Sequence, residues 1–309
     1  MPPARPRFRR PRNASRLLAT LLAAGGLIPS SLQALALGAT GVPAHRPSAP
    51  SPSARANGAG RVQVLRLREP GSGHVHPVWV YRPDVADSSS LPVLYFLHGV
   101  PGGPRDVFAA GLAGSLDRLF ARGAAPFVVV APDGNTSRSD SEWADWSDGR
   151  DLLESFVTRT VVSAVEGHHP RDRAHRAIAG FSMGAYGAVN VAEHHPALFG
   201  QVVSIAGYFD VDDPDGAFAD NASLVARNSP DRHGQALSAT RVMLLDAQGE
   251  RLRVIRGQST RMYRLLRGAG VHATLSIAPG VHDWRFVASQ FPVLERFLES
   301  GWPSGAAVS

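Results

Sequence analysis

Ser182 stands in Gly180-Phe181-Ser182-Met183-Gly184, between the apolar run Ala177-Ile178-Ala179 and an alanine-rich helical pattern from Ala185 to Glu193. Strand, Gly-x-Ser-x-Gly, helix is the setting of a nucleophile elbow. In such a turn the backbone is strained at the serine and pushes its hydroxyl toward solvent. Strand and helix pass close together there, so the residues two before and two after the serine must be small, as Gly180 and Gly184 are. Glycine and serine are common in this chain; the flanking strand and helix separate the match from chance.

A serine hydroxyl is a weak nucleophile at neutral pH and needs a base, which in turn needs an orienting carboxylate. With this elbow the chain order is Ser, then Asp or Glu, then His. His282 follows the strand pattern Ala273–Ala278 and the turn Pro279-Gly280, and precedes the C-terminal helical pattern. That is a strand-end loop, on the edge where open α/β sheets bind ligands. The other histidines fit less well. His233 precedes the strand that must bring the acid, His272 begins a strand, and His194-His195 end the nucleophile's own helix. The acid comes after Val242–Leu245 and is Asp246 or Glu250. Asp246 directly continues the strand. Glu250 lies a few residues past its end, where the acid usually sits; it is preferred, with Asp246 as a structural strand-end residue.

Negative charge developing on a substrate carbonyl needs N–H donors placed in advance. Met183, at the N-terminus of the nucleophile's helix, supplies one, aided by the helix dipole. The turn Leu97-His98-Gly99-Val100-Pro101-Gly102-Gly103 supplies the other, from Val100. His98 and Gly99 are placed beside the substrate, His98 as a loop-packing residue rather than a base. Asp140, Asp145, Asp148 and Asp151 surround Trp143 and Trp146. This spacing is not that of an EF-hand. Asp148 is expected to cap a helix beginning near Arg150, with Asp151 in its first turn. Trp143 and Trp146 either wall the substrate or pack the loop. His168-His169 reads as a solvated helix end. No metal and no organic cofactor is expected.

The elements that must position these residues are legible as alternating patterns. Val62/Val64 and Leu65/Leu67 each alternate, with a slip between them that suggests a bulge. Val78 to Tyr81 is their hairpin partner across Pro70-Gly71-Ser72-Gly73. Continuous apolar runs follow at Val93–Leu97, Phe127–Ala131, Ala177–Phe181, Val202–Ala206 and Val242–Leu245. They suit strands covered on both faces. Helical patterns lie between them at Asp106–Arg122, Arg150–Glu166, Met183–His194, Arg253–Gly268 and Trp284–Ser300. The fold class is therefore α/β, a mostly parallel, doubly wound sheet with helices on both faces. Asp210 to Leu237 has no clean period and is expected to be a long loop with one short helix over the strand ends.

The chain has 309 residues, no cysteine and no lysine. Arg5, Arg7, Arg9, Arg10, Arg12 and Arg16, the apolar stretch Leu17 to Ile28, and Ala34-Leu35-Ala36 predict a signal peptide over residues 1–36, cleaved near Ala36, and export from the cytoplasm. The apolar stretch is short of the about 20 residues a membrane span needs, so no stable span is expected after cleavage. These six arginines account for the formal charge of +6; without residues 1–36 the chain carries 26 basic and 26 acidic residues. The balance makes no case for a nucleic-acid partner, which would need a clustered basic face, and none is expected. Residues 37–60, rich in Pro, Ala and Ser, read as a linker, residues 61–302 as the catalytic domain, and residues 303–309 as a disordered tail. With no cysteine, stability rests on core burial rather than disulfides.

Leu97-His98-Gly99, Ala131-Pro132-Asp133-Gly134, Gly180-Phe181-Ser182-Met183-Gly184 and His282-Asp283-Trp284 together resemble the esterase D / antigen 85 group of α/β-hydrolases. The resemblance spans about Pro92 to Phe297. It implies an α/β-hydrolase fold and ester hydrolysis or acyl transfer through an acyl-serine. By motif position it implies Ser182 as nucleophile, His282 as base, the acid about where Glu250 lies, oxyanion donors at Val100 and Met183, and Trp284 beside the substrate. Mycolyltransferases of the antigen 85 branch carry Asp-Gly where this chain has His98-Gly99, and a second tryptophan where it has Val287. Both departures favour a general esterase acting on a small-molecule or glycan-linked acyl ester. The alternatives are an acyltransferase with a sugar hydroxyl in place of water, and a catalytically silent binding protein on the same scaffold.

Overall fold

Four short strands buried along their whole length form the middle of the molecule: β3 (Val93–Leu97), β4 (Val128–Pro132), β5 (Arg176–Phe181) and β6 (Gln201–Ile205). The structure is a computed structural model and describes residues 56, 58–138, 140–211 and 216–303. The expected signal peptide, nearly all of the expected linker and residues 304–309 of the tail lie outside the described residues. With β1 (Arg61–Arg68), β2 (Val75–Arg82), β7 (Arg241–Ala247) and β8 (His272–Ala278) the strands make one eight-stranded sheet, ordered β1-β2-β4-β3-β5-β6-β7-β8. The first hairpin is antiparallel to itself and to β4; every other pair is parallel. This is the α/β-hydrolase architecture expected from the sequence.

Side chains alternate across the pleat, which divides the core into two. Leu94 and Phe96 point into one layer, with Leu116 and Phe120 of α2 (Leu112–Ala121) and Phe291 and Leu294 of α8 (Trp284–Glu299). Val93, Tyr95 and Leu97 point into the other. There they meet Val189 of α5 (Met183–His194), Leu266 of α7 (Gln258–Gly268) and the helix that runs from α3 (Leu153–Ser155) through a π-helical turn (Phe156–Val161) into α4 (Val162–Glu166). A short helix α1 (Pro104–Ala109) precedes α2, and α6 (Ala222–Arg227) lies in the long segment after β6.

Several boundaries differ from the sequence pattern, each for a local reason. The expected bulge in β1 is absent: Arg61↔Arg82 to Arg68↔Val75 pair without interruption, and Val62 and Val64 simply face solvent on an edge strand. The pattern Asp106–Arg122 breaks at Gly111, whose φ of 94° ends α1 and starts α2. α3 begins at Leu153, and Asp148 does not cap it; Asp148 receives the Arg150 N–H and pairs with Arg138. Asp145 supplies that end instead, accepting from the Ser155 N–H (2.9 Å) and hydroxyl (2.7 Å). Gly257, at φ 82°, delays the start of α7. The segment Asp210 to Leu237, where described, holds α6 and two 3-10 turns, Pro230–Arg232 and Gly234–Leu237.

The strand order reverses around β3, with β4 on one side and β5 on the other. At such a switch point the loops leaving neighbouring strands diverge and open a crevice at their C-terminal ends. Leu97 pairs with Gly180, so the loop after β3 and the Ser182 turn leave the sheet side by side.

Candidate active site

Ser182 sits at φ 57° and ψ −119°, a conformation that L residues rarely adopt. Its N–H donates to the Ile205 carbonyl (3.0 Å), and its own carbonyl accepts from Ala185 (2.9 Å) and Tyr186 (3.1 Å). The flanking glycines make this turn possible. A Cβ on Gly180 would fall on the Gly184 carbonyl, and one on Gly184 would fall on the Leu97 carbonyl. Gly184 is thus required by the end of β3 as well as by the serine's own strand. The hydroxyl is not pushed into solvent as the sequence suggested: Ser182 is fully buried. Gly99 covers it, so closely that a Cβ there would lie 2.9 Å from the serine Cβ.

His282 Nδ1 lies 2.7 Å from Glu250 Oε2, with the two side chains 6% and 3% exposed. The other Glu250 oxygen accepts from the Leu252 N–H at 2.8 Å. A carboxylate only accepts, so the imidazole proton is on Nδ1 and Nε2 is left with a free lone pair. Backbone pairing delivers Glu250 there. Beyond the β7–β8 ladder the two loops stay zipped by Gln248 N–H to Ala278 (2.8 Å) and Gly249 N–H to Gly280 (2.9 Å). A Cβ on Gly249 would stand 2.6 Å from the Gly280 carbonyl, so only glycine permits this approach. Asp246 remains inside β7, opposite Ile277, and accepts from the Ala247 N–H (2.9 Å). Burial pushes its carboxyl up to about 6, and the nearby Glu250 adds to the effect. Ser182 Oγ and His282 Nε2 are both buried and without a hydrogen-bond partner among the described residues.

Met183 opens α5, and its N–H is among the first four of the helix, which have no intrahelical acceptor. The Val100 loop is held from several sides. His98 is fully buried; its Nε2 accepts from the Gly134 N–H (2.9 Å), so Nδ1 carries the proton and donates to the Gly99 carbonyl (2.9 Å). Asn135 donates to the Gly102 carbonyl (2.8 Å), and Asp106 accepts from the Gly103 N–H (2.9 Å).

His98 and Trp143 have no solvent contact, and Trp146 is only 4% exposed; all three are packed within the loops, the reading given to His98 and one of the two given to the tryptophans. His98 faces inward because two backbone groups claim its ring. Trp143 is inserted behind the site, and Trp146 donates to the Ser141 carbonyl (3.2 Å) under the Arg138 guanidinium. Gly99 is buried against Ser182, and Trp284 is half-buried with its ring 5.2 Å from that of Phe181. Phe181, to which the sequence assigned no role, also lies against His282, 4.7 Å between ring centres. Its place just before the serine in the elbow was the available signal. Asp133 and Asn135 brace the Val100 loop; of the two, only Asp133 falls within a motif singled out in the sequence, Ala131-Pro132-Asp133-Gly134.

No group of three or more His, Asp or Glu residues suited to a metal ion occurs among the described residues. Nor is any described helix long and apolar enough to cross a membrane.

Comparison with known proteins agrees with this architecture. The sequence model of the Esterase family, described as "Putative esterase", matches residues 72–297. Among solved structures the chain is similar to a ferulic acid esterase, at 23% identity and a TM-score of 0.69, over 80% of this chain and all of that one (100%). It is similar to FphF, a fluorophosphonate-binding serine hydrolase of Staphylococcus aureus, at 18% identity and a TM-score of 0.65, over 78% of this chain and 99% of that one. It is also similar to MPT51 (FbpC1) of Mycobacterium tuberculosis, at 21% identity and a TM-score of 0.64, over 79% and 99%. At these identities the structural likeness is one of fold, whereas the sequence model covers most of the chain: this protein belongs to the Esterase family of α/β-hydrolases.

Proposed function

We propose that this protein is an exported serine esterase that works through an acyl-serine, with Ser182, His282 and Glu250 as its triad and the Val100 and Met183 N–H groups as its oxyanion hole. The observation that carries the reading is the pairing of Glu250 with His282 Nδ1 at 2.7 Å while His282 Nε2 and Ser182 Oγ are left unpartnered. These are the two atoms between which a proton must pass. Catalytic hydrogen bonds are often long before substrate arrives, so an unformed Ser–His bond suits a free enzyme.

Ser182 Oγ attacks the ester carbonyl carbon as its proton moves to His282 Nε2. The carbonyl oxygen takes up the negative charge between the two N–H groups. When the tetrahedral species collapses, the C–O bond to the alcohol breaks and His282 returns the proton to the leaving oxygen. Water then attacks the acyl-serine with His282 again as base, releasing acid and restoring the hydroxyl. Glu250 holds the imidazole and stabilises its cation without itself taking a proton. Burial of the constellation excludes water and strengthens each of these interactions.

The substrate class we infer is a small-molecule or glycan-linked acyl ester. The similarity to a ferulic acid esterase supports ester hydrolysis, and an acyltransferase of the same chemistry is the alternative. Replacing Ser182 by alanine is expected to abolish turnover of short p-nitrophenyl esters. An S182A variant with wild-type turnover would end this mechanism. Comparing acyl transfer to trehalose with hydrolysis separates transferase from esterase.

A further inference from the structure

Trp143 is the side chain that joins the separate parts of the site, although it touches no solvent. It follows Asp140, Ser141 and Glu142, all buried, in a strap lying across the start of α5. Ser141 Oγ meets Met183 Sδ at 3.9 Å, and the Tyr208 hydroxyl donates to the Glu142 carboxylate. Glu142 and Trp143 have φ of 53° and 51°, so the strap is held in a strained turn. That turn drives the indole inward between two glycines. A Cβ on Gly134 would lie 2.5 Å from its ring, and one on Gly187 of α5 would lie 2.6 Å from its Cβ. The loop after β4 and the nucleophile's helix have thus both given up side chains to admit it.

Inside, the indole N–H donates to the His98 carbonyl at 3.0 Å. Its ring meets the His98 ring edge-on, 5.1 Å between centres. The bond to the carbonyl sets the peptide plane between His98 and Gly99. The imidazole, buttressed by the indole, sets the next plane by donating to the Gly99 carbonyl at 2.9 Å. In a trans peptide the carbonyl and the following N–H point in opposite directions, so holding the Gly99 carbonyl aims the Val100 N–H. We infer that Trp143 is a positioning residue for the oxyanion hole: through its bond to His98 it aligns the Val100 N–H, and through Gly187 it ties that alignment to the helix that begins at Met183.

This rests on Val100 as an oxyanion donor, so S182A is assayed alongside. In Trp143→Phe the wedge keeps an aromatic ring but the N–H donor is gone. With p-nitrophenyl acetate, each variant held at a fixed interval below its own melting midpoint, kcat is expected to fall about 10- to 100-fold. That is less than the about 10²- to 10³-fold cost of deleting a donor outright. KM stays within about twofold, because the indole is already taken up by the His98 carbonyl, the His98 ring and the two glycines. Affinity for a trifluoromethyl ketone, whose adduct mimics the tetrahedral oxyanion, should fall in the same ratio as kcat/KM. Gly187→Ala, which keeps the indole but displaces it, should reproduce the kcat loss. Trp302→Phe, in a core position at the C-terminus, should lose stability without losing kcat. Wild-type kcat in either folded variant, W143F or G187A, or a rise in KM in place of the fall in kcat, overturns the inference. Because W143F and G187A disturb the wedge in opposite ways, either folded variant decides it. An active S182A would instead overturn the mechanism beneath it.

Discussion

Two carboxylates lie at the end of β7, and the fold treats them differently. Glu250 is drawn to His282 by the zipped loops beyond the ladder, and both its oxygens are engaged. Asp246, four residues earlier, stays in the strand, and burial raises its carboxyl to about 6. If Glu250 orients the base, Glu250→Gln should lower kcat by about 10²-fold or more, since the amide can present a donor and favour the wrong tautomer. Asp246→Asn should leave kcat within about fivefold. Steady-state kinetics on the pair decides between them; the reverse pattern would move the acid to Asp246. At Ser182 the strained backbone costs on the order of 1–3 kcal/mol, held in place by packing that only Gly180 and Gly184 allow.

The helix that follows Ser182, α5, is anchored at both ends. At its start lie the strap and the Val100 loop. At its C-terminus, His194 Nδ1 and His195 Nε2 each lie 2.8 Å from the Glu154 carboxylate of α3. His194 Nε2 also lies 3.1 Å from the Arg227 carbonyl. Carboxylate and carbonyl only accept, so His194 donates from both nitrogens and is an imidazolium, a cation well placed at a helix C-terminus. Burial works against charge on Glu154, yet the hydrogen bonds from the two histidines hold its carboxyl down at about 2, against an ordinary 4.5. Burial likewise disfavours charge on His194, but Glu154 outweighs it and raises the group above 6.5. The carboxylate's contribution is present above about 4.5 and lost as pH falls through about 2. The imidazolium's contribution is full below 6.5 and lost as pH rises through the raised value. Glu154→Gln should therefore destabilise the protein by about 1.5–3 kcal/mol, most between those limits. Melting midpoints from pH 2 to 9 check this. A deficit independent of pH would show that Glu154 acts by packing alone.

At the scale of the molecule, the doubly wound sheet brings residues from β5, β7 and β8, distant in the chain, to one C-terminal edge. The same logic separates the domain from what precedes it, since the basic residues 5–16 account for the whole formal charge. If residues 1–36 direct export, the protein recovered from the medium of an expressing culture should begin near Leu37 by N-terminal sequencing and intact mass. Full-length protein confined to the cytoplasm would contradict this.

The sequence by itself determined the strand and helix order, because buried parallel strands are continuous apolar runs and their periodicity is local. It determined the elbow as well, since Gly180, Ser182 and Gly184 act within five residues. It placed His282 by chain order. What it left open was whatever depends on contacts between distant segments. The pairing of Glu250 with His282 rests on β7 and β8 remaining zipped past their ends. The inward turn of His98 and Trp143 rests on Gly134 and Gly187 leaving room for an indole. The burial of Ser182 rests on Gly99 closing over it. Periodicity reports which face of an element is apolar, but not which neighbour fills that face. A tryptophan in an acidic loop therefore reads equally well as a substrate wall or as packing until the tertiary structure brings two glycines against it.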